Sequence, residues 1–295
     1  MNMRTRSTVL AASAVLAALC TAPALAAAGA DTDPPDRILP AMDRNDLRAI
    51  GLTGDQRLVK FEVDRPARVT SIGQVSGLLG DTKLIGIDFR VQNGKLYGVG
   101  DQGGIYTLST ANAQAVKVSQ LSVALSGAQF GIDFNPAANR LRVISDTGQN
   151  LRHNIDDATA PLLTTVDGTL TNPTTPPSTA TGVTDAAYTN NDLDAATATT
   201  LFDLDTTADR ISLQSPANAG TLAPTGNLGV NAAPDAGLDI YYSPKAGTNK
   251  GFATIDAGRG YGLYEINVLT GKATGLGQFP ARQQVTDIAL PLNQN

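Results

Sequence analysis

The chain has 295 residues, 42% of them hydrophobic and only 17% charged, so it has ample material for a buried core and is not globally disordered. One Cys, one His and no Trp exclude zinc fingers, multi-histidine metal centres, disulfide scaffolds and tryptophan sugar platforms. With 22 basic against 27 acidic residues the net charge is −5, which opposes nucleic acid and anionic membranes, while the abundance of Gly, Asn, Asp and Thr suits short strands and tight turns rather than a helical bundle.

Arg4 and Arg6 precede an apolar run from Val9 to Leu19, and Ala24 and Ala26 frame an A-x-A cleavage site, so residues 1–26 read as a secretory signal peptide. The apolar run is too short to span a bilayer, and Arg4-Thr5-Arg6 is not a twin-arginine signal. Leu19 stands where a lipid-attachment signal needs a small residue, so Cys20 is expected to leave with the signal. Cleavage after Ala26 removes two arginines and leaves a cysteine-free chain with 20 basic and 27 acidic residues, a net charge of −7. Residues 27–43, with Pro34, Pro35 and Pro40, read as a flexible leader, and residues 44–295 as one domain.

Within that domain one short pattern recurs five times: Gly86-Ile87-Asp88-Phe89, Gly131-Ile132-Asp133-Phe134, Val183-Thr184-Asp185-Ala186, Gly237-Leu238-Asp239-Ile240 and Val285-Thr286-Asp287-Ile288. The aspartates are 45, 52, 54 and 48 residues apart. Further strands follow the first two motifs at Lys95–Val99 and Arg140–Ile144, and third strands are expected at Ile105–Leu108, Leu151–Asn154, Leu201–Leu204 and Leu263–Ile266. Four short strands in about 45 to 55 residues is the period of a β-propeller blade. Residues Leu47 to Gly73, including Leu58–Val63, supply the later strands of a blade without its opening strand, and Val285–Leu290 supplies an opening strand without the rest. Joining them closes a five-bladed β-propeller and removes the exposed sheet edges, the C-terminal strand pairing with N-terminal strands. Six blades is the competing count, if the segment Gly168–Thr200 conceals a strand pair; its run Asn172-Pro173-Thr174-Thr175-Pro176-Pro177-Ser178 argues for loop instead.

Gly131 to Pro136, Asn139 to Ser145 and Thr147 to Arg152 together resemble the signature of the bacterial exported family catalogued as domain of unknown function 4394. Ala187-Tyr188-Thr189-Asn190, Thr200 to Asp205, Gly220-Thr221-Leu222 and Leu263 to Asn267 agree with it, so the resemblance spans about residues 80 to 292. It implies a secreted, propeller-like fold and brings no activity or catalytic residue.

The five aspartates Asp88, Asp133, Asp185, Asp239 and Asp287 are expected near the axis, because side chains alternate along a strand and Ile87 and Phe89 take the opposite face. There they either ring a hard cation such as calcium or accept hydrogen bonds from backbone amides of adjoining blades. Blade 2 breaks the pattern: Arg142 and Arg152 stand where blade 1 has Tyr97 and Tyr106. Gln149, Asn150 and the lone histidine, His153, lie beside them. Guanidinium groups bind anions bidentately, so Arg142, Gln149, Asn150 and Arg152 form a candidate ligand site, against which stands a buried network with His153 exposed beside a turn.

Gly98-Val99-Gly100-Asp101-Gln102-Gly103 fits a dinucleotide pattern but precedes a strand, so it reads as a hairpin turn. The acidic groups at Asn190–Asp194 and at Asp203, Asp205 and Asp209 are attributable to turn chemistry. No nucleophile elbow or histidine triad is present. The expectation is therefore a secreted, monomeric scaffold without a membrane span, binding a small molecule or a cell-surface protein without catalysis. The alternative is a calcium-dependent hydrolase or lyase acting on an anionic substrate, with the axial aspartates holding the metal.

Overall fold

A computed structural model describes residues 47–157 and 162–294. The signal peptide expected at 1–26 and the leader expected at 27–43 lie outside the described residues.

The described residues open with β1 (Arg48–Thr53), β2 (Arg57–Glu62) and β3 (Thr70–Gln74). Blade 1 follows as β4 (Leu84–Arg90), β5 (Lys95–Gly100), β6 (Gly104–Leu108) and β7 (Ala115–Gln120). Blade 2 is β8 (Phe130–Asn135), β9 (Arg140–Ser145), β10 (Asn150–His153) and β11 (Thr164–Val166). A two-residue hairpin, β12 (Thr171–Asn172) and β13 (Ser178–Thr179), precedes blade 3, made of β14 (Val183–Tyr188), β15 (Leu201–Asp205), β16 (Arg210–Gln214) and β17 (Leu222–Asn227). Blade 4 is β18 (Ala236–Ser243), β19 (Thr248–Asp256), β20 (Tyr261–Ile266) and β21 (Ala273–Gln278), and β22 (Val285–Ala289) returns to β1 as the inner strand of blade 5.

The fold is all-β and five-bladed, each blade an antiparallel meander of four strands among the described residues. Closure runs through β22, which pairs with β1 in the register Ile50↔Ala289, Gly51↔Ile288 and Leu52↔Asp287. The segment expected to be loop does hold a strand pair, but β12 and β13 join at only two positions and build no sixth blade. Leu201–Asp205 is the second strand of blade 3, not the third as its spacing suggested, because the long connection 189–200 lies between the inner strand and it. The glycine run at 98–103 is the hairpin turn between β5 and β6, with the Gly103 amide donating to Gly100 O at 2.8 Å.

Alternation along the strands gives each blade two apolar faces, and these meet in five separate cores, one per blade interface. Between blades 5 and 1, Ile50, Leu52 and Leu58 pack on Ile87, Phe89 and Tyr106; between blades 4 and 5, Tyr241 and Phe252 pack on Phe61, Val285 and Ile288. The interface of blades 2 and 3 has the fewest buried apolar residues, and a polar layer fills the remainder.

In blades 1, 2 and 4, where glycine stands two residues before the axial aspartate, it is a packing requirement; blades 3 and 5 have Val183 and Val285 there. A Cβ on Gly131 would lie 2.4 Å from both Cα and Oδ1 of Asp185, and one on Gly237 would lie 2.6 Å from Asp287 Oδ1. Backbone cannot yield to such a contact, so Gly131→Ala is expected to cost about 1–3 kcal/mol by overpacking. Gly54→Ala, whose nearest neighbour is Thr286 Cγ2 at 3.6 Å, is expected to fall within about 0.5 kcal/mol of wild type. Urea denaturation of the two variants measures the difference, and equal midpoints would refute the packing account.

Candidate functional site

Four of the repeated aspartates are buried, and Asp287 is half-buried. Their carboxylates clasp the blades together in sequence. Asp88 accepts the Phe89 amide at Oδ1 (2.6 Å) and the Phe134 amide of blade 2 at Oδ2 (2.8 Å). Asp133 accepts the Tyr188 amide of blade 3. Asp185 takes the amides of Ala186 (2.8 Å) and of Leu238 in blade 4, and Asp239 those of Ile240 and of Leu290 in blade 5, both at 2.5 Å. Asp287 completes the circle with the amides of Ile288 and of Ile87 in blade 1, each at 2.8 Å. Every inner strand is thus tied to the next by a side chain that satisfies otherwise unpaired buried N–H groups.

Concentrating five carboxylates on one axis carries an electrostatic cost. Burial, then the charges of neighbouring aspartates, hold Asp88, Asp133 and Asp185 well above the usual carboxylate range. Burial pushes Asp239 and Asp287 up to about 7, against the lowering effect of the amides they accept. The folded protein therefore keeps protons that the unfolded chain releases near pH ~4. In chelating buffer, stability is expected to fall as pH rises from about 4 through about 7, as read by urea midpoints across that range. A midpoint that rises over the whole interval would contradict the raised values.

The structure brings Arg142, Asn150 and Arg152 together, with Gln149 on the neighbouring turn. Arg142 is buried, donating to Asn150 Oδ1 and Asp167 Oδ2 (both 2.6 Å), Asn218 Oδ1 (2.8 Å) and the Tyr188 hydroxyl (3.2 Å). Arg152 Nε donates to the same Asp167 oxygen at 2.6 Å, and Asn150 Nδ2 donates to the carbonyls of Gly168 and Ala217. Gln149 accepts the Ser126 amide and donates to Ala124 O, pinning the segment that leads into blade 2. His153 is buried, not exposed beside a turn: its ring nitrogens meet Ser119 Oγ at 2.8 Å and Thr164 Oγ1 at 3.0 Å, and burial lowers its pKa.

Sequence reasoning missed that Asp203 and Asp205 belong to this interface. Both sit on β15 rather than in a turn, and alternation turns them, with Leu201, toward blade 2. Asp205 pairs with Arg210 at 3.2 Å, whereas neither oxygen of Asp203 has a hydrogen-bond partner among the described residues. Burial raises Asp203, and the nearby Arg142 charge opposes that rise. The signal was present in Leu201-Phe202-Asp203-Leu204-Asp205, whose alternation puts every second residue on one face.

The axis opens into a mouth that was not anticipated. A cavity of about 160 Å³ there is lined by Gln56, Lys83, Gln129, Asp235, Thr286 and Asp287, drawn from four blades, with apolar walls including Leu52, Ile85 and Phe130. Asp235 Oδ2 accepts the Tyr261 hydroxyl at 3.0 Å, and burial raises its pKa while that hydrogen bond and Lys83 oppose the rise. Gln56 clamps blade 5 to blade 1 by accepting the Leu84 amide (2.6 Å) and donating to Leu84 O (3.1 Å). A larger groove of about 500 Å³ lies beside blade 5, among Arg48, Lys60, Glu62, Arg65 and Arg68, but Arg65 and Glu62 are paired there at 2.8 Å. Among the described residues no helix is long and apolar enough to cross a membrane.

No curated protein matches the chain. Among solved structures it is similar to an auxiliary nutrient binding protein from Bacteroides ovatus (13% identity, TM-score 0.40, covering 70% of this chain and 56% of that one). A structural genomics protein of unknown function from Bacteroides thetaiotaomicron is also similar (13% identity, TM-score 0.44, 85% of this chain and 68% of that one). At these values no ligand or activity carries over. The model of one family, described as a domain of unknown function, DUF4394, matches residues 57–289, which takes in blades 1 to 4, blade 5 without β1, all five axial aspartates and the arginine network of blade 2. The chain belongs to that family.

Proposed function

We propose that this protein is an exported, monomeric binding propeller that holds a small amine-bearing or zwitterionic solute at the axial mouth. The observation that carries this reading is the convergence of Asp235, Asp287, Gln129 and Lys83 from different blades on one cavity of about 160 Å³. That volume suits a molecule of a few heavy atoms, and two carboxylates beside one ammonium favour a ligand that brings positive charge. A carboxyl group whose pKa is raised by burial, as Asp235 is, gains most from a cationic partner. The mouth is preferred to blade 2 because Arg142 and Asn150 already donate to protein acceptors there. Export is inferred from Arg4, Arg6, the apolar run and the A-x-A site.

Thermal-shift screening of amino acids and polyamines, followed by calorimetric titration, tests the site. Asp235→Asn is expected to weaken binding tenfold or more while Arg152→Ala leaves it unchanged. The reverse ranking would move the site to blade 2. Amino-terminal sequencing of protein recovered from outside the cytoplasm is expected to begin at Ala27, and an intact Met1 would overturn the export reading.

A further inference from the structure

The circle of aspartates is incomplete at one atom. Among the described residues, nine backbone amides serve the five axial carboxylates, one fewer than their oxygens. In the blades of Asp88, Asp185, Asp239 and Asp287 the amide following the aspartate closes on that residue's own Oδ1. In blade 2 the corresponding amide, that of Phe134, is taken by Asp88 instead. Asp133, only 2% exposed, is left with Oδ1 unpartnered. At the same place, Asp88, Asp133 and Asp239 each bring one carboxylate oxygen within 4.8 Å of the other two.

We propose that Asp88, Asp133 and Asp239 hold one hard divalent cation of calcium's size on the propeller axis, a site distinct from the solute site at the mouth. Oxygens within 4.8 Å of one another can share a centre no more than about 2.8 Å from each, so a shift of a few tenths of an ångström brings them to the ~2.3–2.6 Å of calcium coordination. The three carboxylates are chemically right for it, being hard oxygen donors with no Lys or Arg paired to them among the described residues. A divalent ion compensates the group as a whole, and the half-buried Asp287 at the mouth marks a way in.

The test uses the mature protein, stripped with chelator, desalted, and titrated with calcium and separately with magnesium. One calcium per chain is expected by native mass spectrometry, with a rise in melting temperature of about 5–10 °C at a hundredfold excess over Kd. Asp133→Asn keeps the shape of the side chain and gives the orphaned position an amide, so it is expected to fold and to lose the calcium response at least tenfold in affinity. Asp235→Asn, outside the triangle, is expected to keep it. A wild-type protein that carries no calcium after dialysis against the ion, with unchanged melting, would overturn the proposal whether or not Asp133→Asn folds. So would a calcium response abolished by Asp235→Asn and retained by Asp133→Asn, which would put the ion at the mouth.

Discussion

A chain ending at residue 283 is expected to show no cooperative unfolding transition. The missing residues carry Val285, Ile288 and Leu290, each 2% exposed or less, which belong to the core between blades 4 and 5, while Ala289 belongs to the core between blades 5 and 1. Burying an aliphatic side chain of this kind is worth about 1.5–3 kcal/mol, so three of them approach the ~5–15 kcal/mol that stabilises a whole domain. The truncation also removes the Asp287 clasp on Ile87 and the Gln294 contacts with Arg48 and Tyr241, and it leaves β1 as an unpaired edge. Circular dichroism and urea titration read the outcome, and a synthetic peptide covering 284–295 is expected to restore the transition. A truncated chain with the midpoint of the full one would mean that β22 does not close the circle.

Removing Arg142 is the second large effect. Its guanidinium bridges β9 and β10 to the Asp167 segment and to Asn218, between the third and fourth strands of blade 3. Arg142→Met leaves the buried Asp167 with only the partly exposed Arg152 and takes away the positive charge nearest Asp203, whose oxygens have no partner among the described residues. Breaking one side of a buried pair typically costs about 3–5 kcal/mol, because the remaining charge stays buried without compensation. Arg142→Met/Asp167→Leu is expected to lose less than Arg142→Met alone, which separates uncompensated charge from lost packing. Urea midpoints of the three proteins decide it, and a single variant within 1 kcal/mol of wild type would show that the network holds nothing together.

Pairing of the C-terminal strand with β1 follows from counting, since the aspartate motif, opened by glycine three times and by valine twice, starts a blade four times with a full meander behind it and once, at 285–290, with nothing. Tight turns and period-two alternation are local properties of the backbone, so five blades, their order and the axial position of the aspartates could be read from residues a few places apart. The burial of Arg142 could not, because its partners Asp167, Tyr188 and Asn218 lie 25, 46 and 76 residues away. Buried polar clusters are decided by where separate blades place their side chains, and a residue of either fate looks the same along the strand.

The amino-acid sequence by itself determined the blade repeat, the glycine two residues before the axial aspartate in three of the five blades, and the ring closure, because alternation, tight turns and a motif recurring five times are all legible along the chain. Only the tertiary structure decided that Asp88, Asp133 and Asp239 form the triangle, that Phe134 serves Asp88 and leaves Asp133 Oδ1 bare, and that four blades share a mouth. The physical reason is the register of one blade against the next: interblade packing sets it, and a shift of one residue in an inner strand changes which amide each carboxylate meets.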